Sequence, residues 1–234
     1  MPADLSFVQH AVHRRLLADL LAEAGADPDV IGILVHGSVA RGDAYPGSDL
    51  DLLLLLGDGR EGGFSARQQG DTLVEVRRLD AGRARQRLET HPLEPYCHLD
   101  GRILDDPSGA LAALRTEAEA RWNAYAPPPG AVRAAAHWLR SARVKIEAAQ
   151  EEGDLLRAGY VAATTAWTIL ESAWLANRRP MPPNGAVWAH LGDLVDRPPA
   201  NLLETLFAGD AAARPRAALR LIAWTLPRLA RVRD

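Results

Sequence analysis

Two hydrophobic periods divide this chain. Over residues 6–24, Val8, Val12, Leu16, Leu20 and Leu21 recur mostly at four-residue spacing. That spacing predicts an amphipathic helix, and Gly25 supplies a stop. From about 30 to 105 the pattern changes to short apolar runs bounded by turn residues, the mark of strands. Strands are expected at 30–36, 49–56, 72–79 and 101–105, with short helices at 38–42 and 80–89. The run Leu50 to Leu56 is apolar except for Asp51 and suits a buried strand. Pro46-Gly47 centres a turn over Ala44–Ser48, Gly57–Gly63 reads as a loop, and His91-Pro92 breaks the helix before it. Beyond 110 only helical patterns remain, at 110–124, 131–152, 155–178, 200–209 and 213–232, with a shorter one near 186–195. Ala126–Gly130 is a proline-rich spacer, and Pro180–Pro183 forms a second rigid corner. The pattern predicts an α+β chain, a small mixed sheet with flanking helices followed by an all-α bundle. The division is placed at 1–115 and 116–234, within a boundary zone of 107–130.

Composition narrows this picture. The 234 residues fit one large domain or two small ones, and 47% apolar content supplies a core. A net charge of −3 and a pI near 6.2 argue against a broad nucleic-acid-binding surface. Lys145 is the sole lysine among 27 basic residues, so arginine must carry any phosphate contacts. The single cysteine, Cys97, forms no internal disulfide, which fits a cytoplasmic protein. Arg14-Arg15 followed by Leu16–Ala26 imitates a signal peptide, but Asp19 and Glu23 interrupt the apolar stretch. No run approaches the ~18 apolar residues of a membrane span.

The chemistry concentrates in residues 36–51. An apolar strand ends in Gly37-Ser38, and Asp49 and Asp51 open the next. Carboxylates at i and i+2 on a strand share a face, roughly 6–7 Å apart, and such a pair grips divalent cations. A Gly-Ser turn entering a helix holds phosphate through backbone N–H groups. Gly37 allows close approach and Ser38 adds a hydroxyl. Together these are the parts of phosphoryl or nucleotidyl transfer. Alone, an Asp-x-Asp is most often a solvated pair; the preceding Gly37-Ser38 sets this one apart. Arg41, one helical turn beyond Ser38, is in reach of a phosphate, although a solvated arginine is the common case. Glu75 sits between valines in mid-strand, where an unpaired carboxylate is costly to bury. Asp71 follows Gly70 and falls in a turn. His36, at a strand end, reads as structural.

Gly37, Ser38, Asp49 and Asp51, with Ser48 before the first aspartate, resemble the signature of the DNA-polymerase-β-like nucleotidyltransferase superfamily. The motif resemblance spans about 30–80. A weaker likeness over the whole length is to two-domain antibiotic nucleotidyltransferases that modify aminoglycosides or lincosamides. The resemblance implies a nucleotidyltransferase sheet and two Mg²⁺ ions held by Asp49, Asp51 and Glu75. It implies a nucleoside triphosphate co-substrate, ATP or another, bound by Gly37, Ser38, Arg41 and Ser48. The implied activity is transfer of AMP onto a hydroxyl of a small-molecule acceptor, an aminoglycoside-like one included. In such enzymes a helical-domain carboxylate deprotonates the acceptor. Glu171, in the apolar stretch Trp167–Trp174, is the first candidate and Glu147 the second. If neither serves, Glu75 is both ligand and base. Six tryptophans in the second half read as bundle core, with one or two available for a pocket or interface. Tyr96 and His98 are further candidates for touching nucleotide or acceptor. Relatives are often homodimers.

Three alternatives carry less. A minimal antitoxin or protein-modifying adenylyltransferase is usually little more than the catalytic domain, and this chain has a long helical half. Arg133 and His137 fall one residue short of the ribonuclease motif of partner toxins. A non-catalytic nucleotide-binding module would not need Asp49, Asp51 and Glu75. RNA tailing is disfavoured by the acidic balance. Acidic residues suit a cationic acceptor.

Overall fold

The computed structural model describes residues 4–232. The chain forms a five-stranded sheet of β1 (Val30–His36), β2 (Leu50–Leu56), β3 (Gly63–Gln69), β4 (Thr72–Asp80) and β5 (Arg102–Asp105), in the order β3-β4-β2-β1-β5. Strands β1, β2, β4 and β5 lie close to their expected positions. β1 pairs antiparallel with β2 and with β5. β4 runs parallel to β2, because β3 first takes the chain to the sheet edge and a hairpin brings it back.

β2 is buried on both faces, which is why its leucines do not alternate with polar residues. Leu52 and Leu54 pack with Ile33, Val35 and Val74 against Leu17, Leu20 and Ala24 of α1 (Ala11–Gly25). On the other face, Leu53, Leu55 and Leu34 meet α3 (Ala81–Thr90) and α5 (Ala110–Asn123) through Leu88, Leu111 and Leu114. Each such buried leucine is worth roughly 1.5–3 kcal/mol. The α3 start is fixed by Asp80, whose carboxylate accepts the Arg83 backbone N–H at 2.9 Å.

Three expectations need correction. The first helix begins at Ala11, so Val8 is buried from a non-helical segment. β3 falls between the expected loop at 57–63 and the expected strand at 72–79, where no strand is predicted; its exposed, largely polar residues carry no apolar alternation. A short helix, α4 (Glu94–Asp100), follows the His91-Pro92 break, with Pro95 in its first turn, where a missing N–H is harmless.

The chain forms two compact units. The sheet unit runs to Ala124 and also takes in Pro182–Ala189. It includes α2 (Gly37–Arg41). The second unit comprises Tyr125–Met181 and the chain from His190 onward. It is built on α6 (Ala131–Glu151), α7 (Leu155–Ala176), α9 (Ala200–Ala208) and α10 (Ala213–Leu229), while most of the short α8 (Val187–His190) belongs to the segment that returns to the sheet unit. Leu139, Ile146, Ile169, Trp174, Leu206, Leu221 and Ile222 form its interior. Of the six tryptophans, Trp174 alone is a fully buried core residue; Trp138, Trp167 and Trp188 are exposed. Among the described residues no helix is long and apolar enough to cross a membrane.

Candidate active site

The site grows from strand register. His36 pairs with Asp51 across β1 and β2, and Asp51 pairs with Glu75 across β2 and β4. The three residues form one row across the sheet. Asp49 lies two residues before Asp51, just ahead of the strand. The sequence motif thus becomes a cluster of Asp49, Asp51 and Glu75. Burial pushes the Asp51 carboxyl up to about 6, and the negative charges of Glu75 and Asp49 add to the shift.

Gly37 turns the chain from β1 into α2 with φ +70°. A Cβ there would also run into the Asp51 carboxylate. Glycine is therefore required both by the backbone and by the approach of the carboxylate. The Ser38 carbonyl accepts the N–H groups of Gly42 and Asp43, closing the short helix. Ser48 works within the neighbouring turn: its hydroxyl accepts the Tyr45 N–H at 2.8 Å, and His13 Nε2 donates to its carbonyl at 2.9 Å.

Gly37, Ser38, Arg41, Ser48, Asp49 and Asp51 line a cleft of about 860 Å³; Glu75, on the neighbouring strand, is not part of its lining. Pro183, Gly185 and Ala186 form a wall of it, from the segment that returns to the sheet unit. Arg41 is tied down in three directions. Its guanidinium donates to Asp100 at 3.0 Å, to Asp43 at 3.3 Å and to the Gly185 carbonyl at 3.1 Å.

The far lobe of the cleft holds residues that pattern reading missed. Arg77 shares the Glu75 face of β4. It donates to Glu94 Oε2 at 3.0 Å and to Cys97 Sγ at 3.1 Å. Arg87, on α3, donates to the same Glu94 oxygen through Nε and Nη2, both at 3.1 Å. Spacing was the available signal for Arg77, two residues after Glu75. Glu94 lay hidden behind the proline break. Burial raises the Cys97 thiol to about 12 and lowers the His36 imidazole to about 3, so both are uncharged near neutrality. Tyr96 lines the cleft; His98, fully buried with its pKa lowered by burial to about 4, does not. Glu94, Cys97 and His98 bring one donor atom each within 4.8 Å of one another. Glu94 and Cys97 there already accept Arg77, a cation in the place a metal would take.

The remaining candidates lie apart. Glu171 is exposed on α7 of the helical unit, so the apolar setting expected from its tryptophan neighbours is not found. Burial, with the Glu171 charge as the smaller cause, raises the Tyr125 pKa. Glu147 pairs with Arg143 at 2.8 Å on α6. Asp71 is exposed in the β3–β4 turn.

The chemistry of Asp49, Asp51 and Glu75 suits a hard divalent cation, since all are carboxylates and the charges of Glu75 and Asp49 act on Asp51, although their oxygens do not converge within 4.8 Å of one another. The glycine at 37 leaves the space that the Asp51 carboxylate occupies.

Residues 14–96 match the model of the nucleotidyltransferase domain family. No curated protein matches the sequence. Among solved structures, a nucleotidyltransferase-like protein from Exiguobacterium sibiricum 255-15 is similar at 14% identity and a TM-score of 0.40, over 93% of this chain and 75% of that one.

Proposed function

We propose that this protein, which through residues 14–96 belongs to the DNA-polymerase-β-like nucleotidyltransferase superfamily, transfers a nucleoside monophosphate, AMP from ATP, onto a hydroxyl of a small molecule. The observation that carries the reading is the setting of Asp51, which Gly37 abuts and which pairs with Glu75 across the sheet. Gly37 and Ser38 orient the β- and γ-phosphates. Asp49, Asp51 and Glu75 would hold two Mg²⁺ ions, which supply charge neutralisation at the triphosphate and a more acidic acceptor hydroxyl. The acceptor oxygen forms a bond to the α-phosphorus while the α–β bridging bond breaks and pyrophosphate leaves. The hydroxyl proton goes to a carboxylate, and the exposure of Glu171 favours Glu75 for that role.

A second reading, transfer onto a protein, is favoured by the exposed aromatic side chains Trp138, Tyr160 and Trp167 of the helical unit. One experiment separates the two. The full chain is incubated with Mg²⁺, each labelled triphosphate, and panels of small hydroxyl compounds and proteins, reading pyrophosphate release and mass gain together. The expected result is labelling of a small molecule. Asp49→Asn and Asp51→Asn should each lower turnover by about a hundredfold or more with the fold intact. Near-normal turnover in either variant removes the metal-site assignment.

A further inference from the structure

Resting on the nucleotidyl-transfer reading above, we infer that the acceptor carries a phosphate group and that Arg77 and Arg87 seat it. Three observations converge on the far lobe of the cleft. The first is position. Strand order places Gly37-Ser38 on the β1 side of Asp51 and Arg77 on the β4 side. The nucleotide phosphates belong with the former. Arg77, two residues beyond Glu75, lies on the other side of Asp51 from Gly37-Ser38, the side left to an acceptor when the triphosphate sits at Gly37-Ser38.

The second observation is charge. Arg77 and Arg87 both close on one oxygen, Glu94 Oε2. Two guanidinium groups against one carboxylate leave one positive charge uncompensated. Cys97 and His36, which line the same lobe, are uncharged near neutrality. Asp51 also acts electrostatically on Arg77, and bound divalent cations would offset that carboxylate. The Arg77 Nε is buried and without a hydrogen-bond partner, and Glu94 itself is 4% exposed. A cationic amino-sugar, the acceptor class expected from the acidic composition, would meet this arginine pair with repulsion.

The third observation is geometry. Arg87 is partly exposed, at 35% of its side chain, so it is open to ligand while still anchored. Guanidinium forks match tetrahedral phosphate oxygens by paired N–H donors. Tyr96, Pro92 and Leu93 supply an apolar flank for the body of the acceptor. A phosphorylated sugar or polyol, with its phosphate at the arginines and a free hydroxyl toward Glu75, satisfies all three.

The test uses the full chain saturated with Mg²⁺ and a non-hydrolysable ATP analogue, titrated with inorganic phosphate. Transfer assays then compare hexoses with their phosphate monoesters and with amino-sugars. Phosphate should bind in addition to the analogue. Arg87→Gln should weaken that binding by about tenfold or more, with Arg87→Lys intermediate and analogue affinity unchanged. Phosphate monoesters should be labelled in preference to their parent sugars. An unchanged unfolding midpoint in Arg87→Gln guards against a folding defect, and the lysine variant reports independently. Competition between phosphate and the analogue, with Arg87→Gln weakening the analogue, would assign the arginines to the triphosphate and overturn the inference. So would the absence of phosphate binding to a protein that binds the analogue, or labelling of amino-sugars alone. Failure of the analogue to bind at all would remove the transfer reading first, and this inference with it.

Discussion

Asp51 is the residue on which most of the site's physics falls. It abuts Gly37, pairs with Glu75 and has Asp49 two residues away. Its carboxyl, ordinarily at 3.8, is raised by burial and by those two carboxylates to about 6. The folded metal-free protein therefore keeps this proton over a pH window in which the unfolded chain has lost it. Stability contributed by that proton is present at low pH and lost as pH rises through about 6. Asp51→Asn carries no such charge. In the presence of chelator it should be more stable than the parent above pH 6, with the difference shrinking as pH falls toward 3.8. Denaturant midpoints of both proteins across that range provide the measurement, and a pH-independent difference would count against the buried repulsion. Mg²⁺ competes with the same proton, so its affinity should weaken below pH 6 in the parent. Asp49, Asp51 and the glycine were legible in the sequence because their chemistry is local, packed into sixteen residues. Arg77, Arg87 and Glu94 were not, because their meaning arises only when β4, α3 and α4 converge on one carboxylate oxygen.

At the scale of elements, strands and helices with a strong apolar period were legible and those without one were not. β2 announced itself by seven residues with a single polar interruption, whereas β3 presents Gly63–Gln69 to solvent as a sheet edge. One signal for β3 was present. Gln69 pairs with Thr72, so Gly70-Asp71 is a two-residue hairpin loop, and Gly70 has φ +61°. α4 is only seven residues long and starts beside a proline, too short for a period to show. The C-terminus of α7 offers a test of local physics. Arg178 is the one described non-glycine residue with positive φ, +54°. Its N–H bonds to the Leu175 carbonyl and that of Arg179 to the Trp174 carbonyl, both at 3.0 Å. This left-handed cap is a glycine position. Arg178→Gly should stabilise the protein by up to about 1 kcal/mol, since a side chain in that conformation costs about that much. Urea unfolding reads it, and a loss of stability would mean that the arginine side chain contributes more than the backbone costs.

Whole-molecule organisation departs from the linear sequence in one place. A boundary drawn along the chain assigns everything after 115 to a helical half, yet α5 stays with the sheet and Pro182–Ala189 returns to it. No composition signal marks that return, because the contact that anchors it joins Arg41 to Gly185, 144 residues apart. The pattern of proline at 180, 182 and 183 showed a rigid corner but not where it would lodge. Arg41 thereby has a structural task different from the phosphate contact its spacing suggested. It links α2, the Asp100 end of α4 and the cleft wall at Gly185. The Arg41 and Asp100 side chains are 13% and 7% exposed, so their ion pair is poorly screened and its removal costs more than that of a surface pair. Arg41→Ala should lower stability by about 2 kcal/mol. It should also speed amide hydrogen exchange through Asn184–Ala186, where the wall loses its anchor, while exchange within α10 stays unchanged. A residue that only contacted phosphate would produce neither effect without nucleotide. Exchange measured on the ligand-free protein separates the two roles: faster exchange at the wall places Arg41 in the architecture of the cleft. Unchanged exchange, combined with weaker triphosphate binding, would return it to the phosphate.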